Sequence, residues 1–237
     1  MNLLFAKLRV LPAEQEWDGP MQMAVDEALL ETASLPALRF FKWSRPQATF
    51  GYFERLDAVR SSTRYPDLLT RRWTGGGLVE HGEDLTFSIM LPAADPAFAL
   101  RGRDFYEAVH SAVAAALQEE GIATTFASAQ AKEAKALPCF QSPVDRDLLL
   151  AGAGLPSALK ILGGAMRRAR HGLLYQGSLR ATTDKSTRFS LADRIPHRLS
   201  RNCQTDSLTA RELHRAAALA TSKYSTAAWL NRTGAAM

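Results

Sequence analysis

Arg71-Arg72-Trp73-Thr74-Gly75-Gly76-Gly77-Leu78-Val79-Glu80-His81 is the most locally committed stretch of this chain. A strand-like approach, Leu68-Leu69-Thr70, runs into the two arginines, and Leu85-Thr86-Phe87-Ser88-Ile89-Met90-Leu91 beyond it alternates as a second strand. Three consecutive glycines give up backbone entropy and side-chain packing. That loss makes sense where the chain takes positive φ or admits something against bare backbone. With two guanidiniums directly before it, such a turn can cradle an anion or lie along an acyl chain; it also reads as a flexible hairpin loop.

Working outward toward the N-terminus, residues 19–31 place Met21, Val25, Ala28 and Leu29 on one face with Pro20 in the first turn, a helix. Leu38-Arg39-Phe40-Phe41-Lys42-Trp43 alternates as a strand, Ser44-Arg45-Pro46 breaks it, and Ala48-Thr49-Phe50-Gly51-Tyr52-Phe53 reads as its hairpin partner. Residues 57–62 give one or two helical turns.

Toward the C-terminus, Phe105, Val109, Ala112, Val113, Ala116 and Leu117 repeat at helical spacing over 103–120, and Gly121 ends the helix. Residues 122–126 form a short strand, and the Ala/Lys-rich 127–138 reads as a mobile loop. Residues 147–151, 158–163 and 172–179 make a three-strand meander whose first turn is Gly152-Ala153-Gly154-Leu155-Pro156. Thr209-x-x-Glu212 is a capping box opening a helix to about Thr221, after which 222–237 is expected to fray. Strands and helices intermix without repeats or a Pro/Gly/Ser-rich linker. The expectation is an α+β fold, a mixed and largely antiparallel sheet flanked by helices, in a single domain over 1–237 with 181–237 as a C-terminal helical extension.

The composition suits such a domain: 46% of the 237 residues are hydrophobic. No apolar run approaches the roughly 20 residues that span a bilayer, and Lys7 and Arg9 interrupt the apolar start. No membrane association is expected. Two cysteines are too few for a disulfide framework, which points to a reducing cytoplasm. The net charge of +5 favours acidic partners, and no nucleic-acid motif accompanies it. Between Asp147 and Asp184 there is no acid, while Lys160, Arg167, Arg168, Arg170 and Arg180 all fall there.

Few residues offer chemistry. Cys139 is bracketed by Pro138 and Pro143, which pin the backbone around its thiol; a lone cysteine is also a common small core residue. Lys160, inside the apolar Ala158-Leu159-Lys160-Ile161-Leu162, points either to solvent or into a site, where its ammonium would stabilise a nearby thiolate. Gly163-Gly164-Ala165 offers backbone N–H groups suited to a developing oxyanion. His81 follows the glycine loop closely enough to belong to the same site or merely to hold the loop. The five histidines show no metal-ligand spacing, so no metal is expected.

The order of these motifs resembles the lipoate/octanoate branch of the biotin/lipoate protein ligase superfamily. Met23-Ala24-Val25-Asp26-Glu27-Ala28-Leu29-Leu30 resembles its first helix. Arg71-Arg72-Trp73-Thr74-Gly75-Gly76-Gly77 with the trailing His81 is similar to its Arg-Arg-x-Ser/Thr-Gly-Gly loop, and Lys160-Ile161-Leu162-Gly163-Gly164-Ala165 to its Lys-x-x-Gly-Ser-Ala strand. Cys139-Phe140-Gln141-Ser142-Pro143 is similar to the Cys-Phe-x-x-Pro segment of the cysteine-dependent octanoyltransferases of the ligase-like type. Gly164 stands where the family usually has Ser, and Met166 where it has Gln.

The resemblance implies an acyltransferase. Cys139 would take an octanoyl or lipoyl group from acyl carrier protein and pass it to a lysine of a lipoyl domain, in glycine cleavage H protein or an E2 subunit. Lys160 would act beside Cys139, and Arg72, Gly75, Gly76, Gly77, His81, Gly163, Gly164 and Ala165 would line the substrate site. No cofactor is implied for the transferase. The alternatives are an ATP-dependent lipoate-protein ligase, which would use ATP and Mg, and a non-catalytic paralogue that binds lipoyl domains or an acyl ligand.

Overall fold

The structure is a computed structural model and describes residues 3–128, 143–151, 159–180 and 184–232. In chain order these residues form β1 (Leu8–Leu11), β2 (Glu16–Trp17), α1 (Gly19–Thr32), β3 (Ala37–Phe40), β4 (Lys42–Trp43), β5 (Gln47–Phe50), α2 (Leu56–Arg60), β6 (Leu69–Arg71), β7 (Val79–His81) and β8 (Leu85–Pro92). There follow α3 (Gly102–Glu119), β9 (Thr124–Phe126), β10 (Leu148–Leu150), β11 (Lys160–Ala169), β12 (Gly172–Leu179), α4 (Lys185–Leu199), β13 (Cys203–Thr205), α5 (Ala210–Leu219) and α6 (Ala227–Leu230).

Eight strands make one large sheet in the order β13-β1-β3-β8-β12-β11-β10-β9. The β13–β1 and β1–β3 pairs are parallel and the remaining pairs antiparallel, so the sheet is mixed and largely antiparallel, as expected. Strands β8 and β12 are buried along their whole length because helices cover both faces. Ile89, Leu91 and Leu173 pack with Phe105, Val109 and Val113 of α3 and Leu191 and Ile195 of α4. The alternate residues Met90 and Leu174 pack with Ala24, Ala28 and Leu29 of α1 and Leu219 of α5. One residue of register separates the two cores.

Local chemistry explains the helix ends. Asp18 caps α1 by accepting from the Met21 amide at 3.1 Å, with Pro20 in the first turn. Gly121, at φ +75°, ends α3. The Thr209–Glu212 capping box is present at α5.

Two expectations are corrected. Strand β5 is not the hairpin partner of β3: it lies between β6 and β7 in a separate three-stranded sheet, while β3 pairs with β1 and β8. Ser44-Arg45-Pro46 leads the chain out of the large sheet rather than back along it. The tail also does not fray over 222–232. A π turn, Ala220–Tyr224, and α6 bury Tyr224 and Trp229 against the apolar layer containing α1. Helix α4 lies within the expected helical extension and buries Leu191, Ile195 and Leu199, while β13 is a strand that the expectation did not include. The expected loop (apart from 127–128) and the Gly152–Pro156 turn lie outside the described residues. No helix among the described residues is long and apolar enough to cross a membrane.

Candidate active site

Strand β11 begins with Lys160, whose side chain is 1% exposed and lies 2.8 Å from the Asp147 carboxylate, itself wholly buried. The solvent-facing reading of Lys160 is therefore excluded. Asp147 sits just before β10, the antiparallel neighbour of β11, and two further donors fix it. Tyr106 of α3 donates its hydroxyl to Oδ1 at 2.5 Å, and the Val144 amide donates to Oδ2 at 2.7 Å. Burial pushes the Tyr106 phenol far above its usual range, assisted by Tyr175 and Asp147, so it remains a donor. The Gly164 amide, a candidate oxyanion donor in sequence, donates to the Tyr106 oxygen at 2.9 Å.

Lys160 lines a cavity together with Gly163, Gly164 and Ala165 of β11 and Arg72, Gly76 and His81 from the glycine-loop side. The structure thus brings these predicted site residues around one space, with Met23, Phe41, Trp43 and Val79 as its apolar surfaces. Gly75 and Gly77 act differently. Their carbonyls accept from Arg72 Nη2 at 3.0 and 2.8 Å and tie the loop to the guanidinium. Gly76 takes φ +80°, a conformation that favours glycine. Cys139 lies outside the described residues.

A second polar row runs along the opposite wall. His81 stacks on Trp43 with ring centroids 4.3 Å apart, places Nδ1 2.8 Å from Asp84 Oδ2, and places Nε2 2.8 Å from Thr49 Oγ1. Because the carboxylate only accepts, His81 Nδ1–H is the donor to Asp84. Thr49 in turn accepts from Arg72 Nη1 at 2.8 Å. Burial alone would raise the Asp84 carboxyl, but His81 and the Ser178 and Thr86 hydroxyls outweigh it and hold the group well below the usual carboxylate range.

The third polar row lies under the cavity. Thr74 donates to Gln176 at 2.6 Å, and Gln176 donates to Asp26 at 2.8 Å. Asp26, on the buried side of α1, also accepts from Arg39 at 2.7 Å and from Ser88 at 2.8 Å.

Asp147, Tyr106, Asp84, Thr49, Gln176 and Asp26 were given no role from sequence. Asp84, three residues after His81, and Asp26, in the middle of an apolar helix, were the available signals. Among the described residues no group of three or more His, Cys, Asp or Glu side chains could hold a metal ion.

The family model "Lipoyl protein ligase A/B catalytic domain" matches residues 18–214. The chain is 30% identical over 181 residues to an octanoyltransferase LipM of Oceanobacillus iheyensis, covering 73% of this chain and 64% of that protein. It is 28% identical over 209 residues to the LipM of Anoxybacillus flavithermus, covering 81% and 73%. A lipoate-protein ligase A crystallised with ATP superposes with a TM-score of 0.71 at 22% identity, over 97% of this chain and 99% of that one. A bipartite lipoate protein ligase of Thermoplasma acidophilum, described with its E2 lipoyl domain, superposes at 0.67 and 19% identity over 98% of both chains. At those identities the structural likeness establishes the fold.

Proposed function

Because the chain belongs to the lipoyl protein ligase A/B catalytic-domain family, we propose that it is an octanoyl (or lipoyl) transferase working through an acyl-enzyme on Cys139. The observation that carries this reading is the buried Lys160–Asp147 pair set into the wall of a largely apolar cavity. An ammonium there can polarise a thioester carbonyl and favour a thiolate, while the apolar surfaces accept a fatty chain. The relatives named octanoyltransferase support the same reaction.

The Cys139 thiol gives up its proton and the thiolate attacks the thioester carbonyl of an acyl carrier protein; the old C–S bond breaks and the carrier sulfur leaves, taking up that proton. The acceptor lysine of a lipoyl domain, in glycine cleavage H protein or an E2 subunit, then attacks the Cys139 thioester. An amide forms and the Cys139 sulfur departs with the amine's proton. Asp147 and Tyr106 hold Lys160 in place through both steps, and Arg72, fixed by Thr49 and the loop carbonyls, keeps the glycine loop against the acyl chain. No cofactor enters this scheme. We take 1–237 as one cytoplasmic catalytic unit with 181–237 as its C-terminal extension.

The test is an intact-mass measurement after incubation with octanoyl-acyl carrier protein and no ATP. An octanoyl adduct is expected on the wild type and none on Cys139→Ala. Labelling of a lipoyl domain only with ATP, magnesium and free octanoate would replace the transferase by a ligase, and binding without either reaction would leave a non-catalytic paralogue.

A further inference from the structure

Gly76 is the exposed residue of the cavity's described lining. Beside its loop, where the Tyr52 amide donates to the Thr74 carbonyl at 2.9 Å, lies a layer of cations on aromatic rings. Arg167 follows the cavity residue Ala165 by two positions on β11 and so shares its face. Its guanidinium lies 4.7 Å from the Tyr52 ring centre and 4.9 Å from that of Trp73, the residue after Arg72. Arg232 lies 4.8 Å from the other occupant of this layer, the Tyr52 ring. Lys223 sits 4.8 Å from Trp73 and 4.5 Å from Trp229 while pairing with Glu27 at 2.6 Å. Neither Arg167 nor Arg232 has a carboxylate partner among the described residues. Arg232 also borders a surface cleft shared with Arg60 and with Phe53, which is 66% exposed.

Arginine, tyrosine and tryptophan are the residue types that anchor protein interfaces, and cations lacking acidic partners call for an acidic surface opposite them. We propose that this layer docks the acyl acceptor, an acidic lipoyl domain, and presents its lysine to the cavity; the assignment rests on the transferase reading above. Reach decides between acceptor and donor. A carrier protein delivers its thioester on a long arm, so its body can rest some way off. A lysine has only a four-carbon stem, so the body of the acceptor must sit against the rim itself.

The experiment titrates an unmodified lipoyl domain of net negative charge into the full-length protein and into Arg167→Glu/Arg232→Glu. Wild-type binding is expected to weaken with added salt; the double variant should bind about tenfold or more weakly and lose most of that salt dependence. Arg167→Lys/Arg232→Lys should retain most of the affinity. Acylation by an uncharged small-molecule thioester, octanoyl-N-acetylcysteamine, should proceed at the wild-type rate in every variant, which also shows that they fold. Unchanged lipoyl-domain binding in the glutamate variant overturns the proposal, as does a loss confined to acyl carrier protein. If no protein is acylated but lipoyl-domain binding still falls in the glutamate variant, the reaction reading fails and the docking surface stands.

Discussion

Asp147 receives the Lys160 ammonium, the Tyr106 hydroxyl and the Val144 amide with no exposed surface of its own. Removing one partner of a buried ion pair costs about 3–5 kcal/mol. Asp147→Asn should therefore lower stability by that order in chemical denaturation, and slow acyl-enzyme formation, because Lys160 loses the carboxylate that orients it. Unchanged acylation kinetics in the variant would remove Asp147 from the mechanism. Gly164 makes a different point. A Cβ there would lie 2.5 Å from the Tyr175 hydroxyl and 2.6 Å from its ring, and Tyr175 is wholly buried. The residue usual in the family at this position, serine, does not fit beside this tyrosine. Gly164→Ser should destabilise by about 1–3 kcal/mol through overpacking, measured as a shift in the urea midpoint; Tyr175→Phe should not rescue it, because the ring carbons clash as well. The cavity residues Lys160, His81 and Arg72 were legible because their neighbours form motifs. The roles of Asp147, Thr49 and Gln176 were not, since each acts through partners 23 to 150 residues away that no local spacing records.

At the scale of elements, Arg71 joins the glycine loop to the tail. Its guanidinium is fully buried and donates to the carbonyls of Gly51, Tyr52, Glu54, Trp229 and Leu230, while the Trp229 indole donates back to the Arg71 carbonyl at 3.0 Å. Trp229→Ala should cost about 3–5 kcal/mol, as for other buried large aromatics. It should also loosen the Arg72 loop, read as faster hydrogen exchange of the Gly76 and Gly77 amides; a stability loss with those amides unchanged would separate tail from loop. Helix α3 was legible because six apolar residues recur at its period, and α5 because its capping box is local. Strand β5 was assigned the wrong partner because alternation identifies a strand without saying which edge it joins. Residues 222–232 looked patternless because a π turn and a four-residue helix are too short to show a period, and their burial depends on Arg71, more than 150 residues away.

For the molecule as a whole, acid sensitivity has a located source. His110, hydrogen-bonded to the Tyr175 hydroxyl at 2.8 Å, has its pKa pushed down to about 3 by burial and, to a smaller extent, by the Lys160 ammonium. In the unfolded chain it titrates near 6.5, at about the usual histidine value. Between those values the unfolded chain holds a proton that the folded one does not. Stability should therefore decline as pH falls from about 6.5 toward 3, with no contribution from this group above that window. His110→Gln should flatten this limb in urea titrations at about pH 7.5 and about pH 4.5; an unaltered slope would place the acid sensitivity elsewhere. The fold class was legible because a mixed sheet follows from interleaved strand and helix patterns. The strand order was not, because its parallel edge joins Leu8 to Cys203, residues at opposite ends of the described chain. That pairing has a consequence for biosynthesis. While a ribosome is still making the last third of the protein, β1 has an open outer side, and a free strand edge invites pairing with other nascent chains. A premature stop after α4 would leave that edge permanently bare, so such a fragment should collect in inclusion bodies rather than persist as a smaller enzyme.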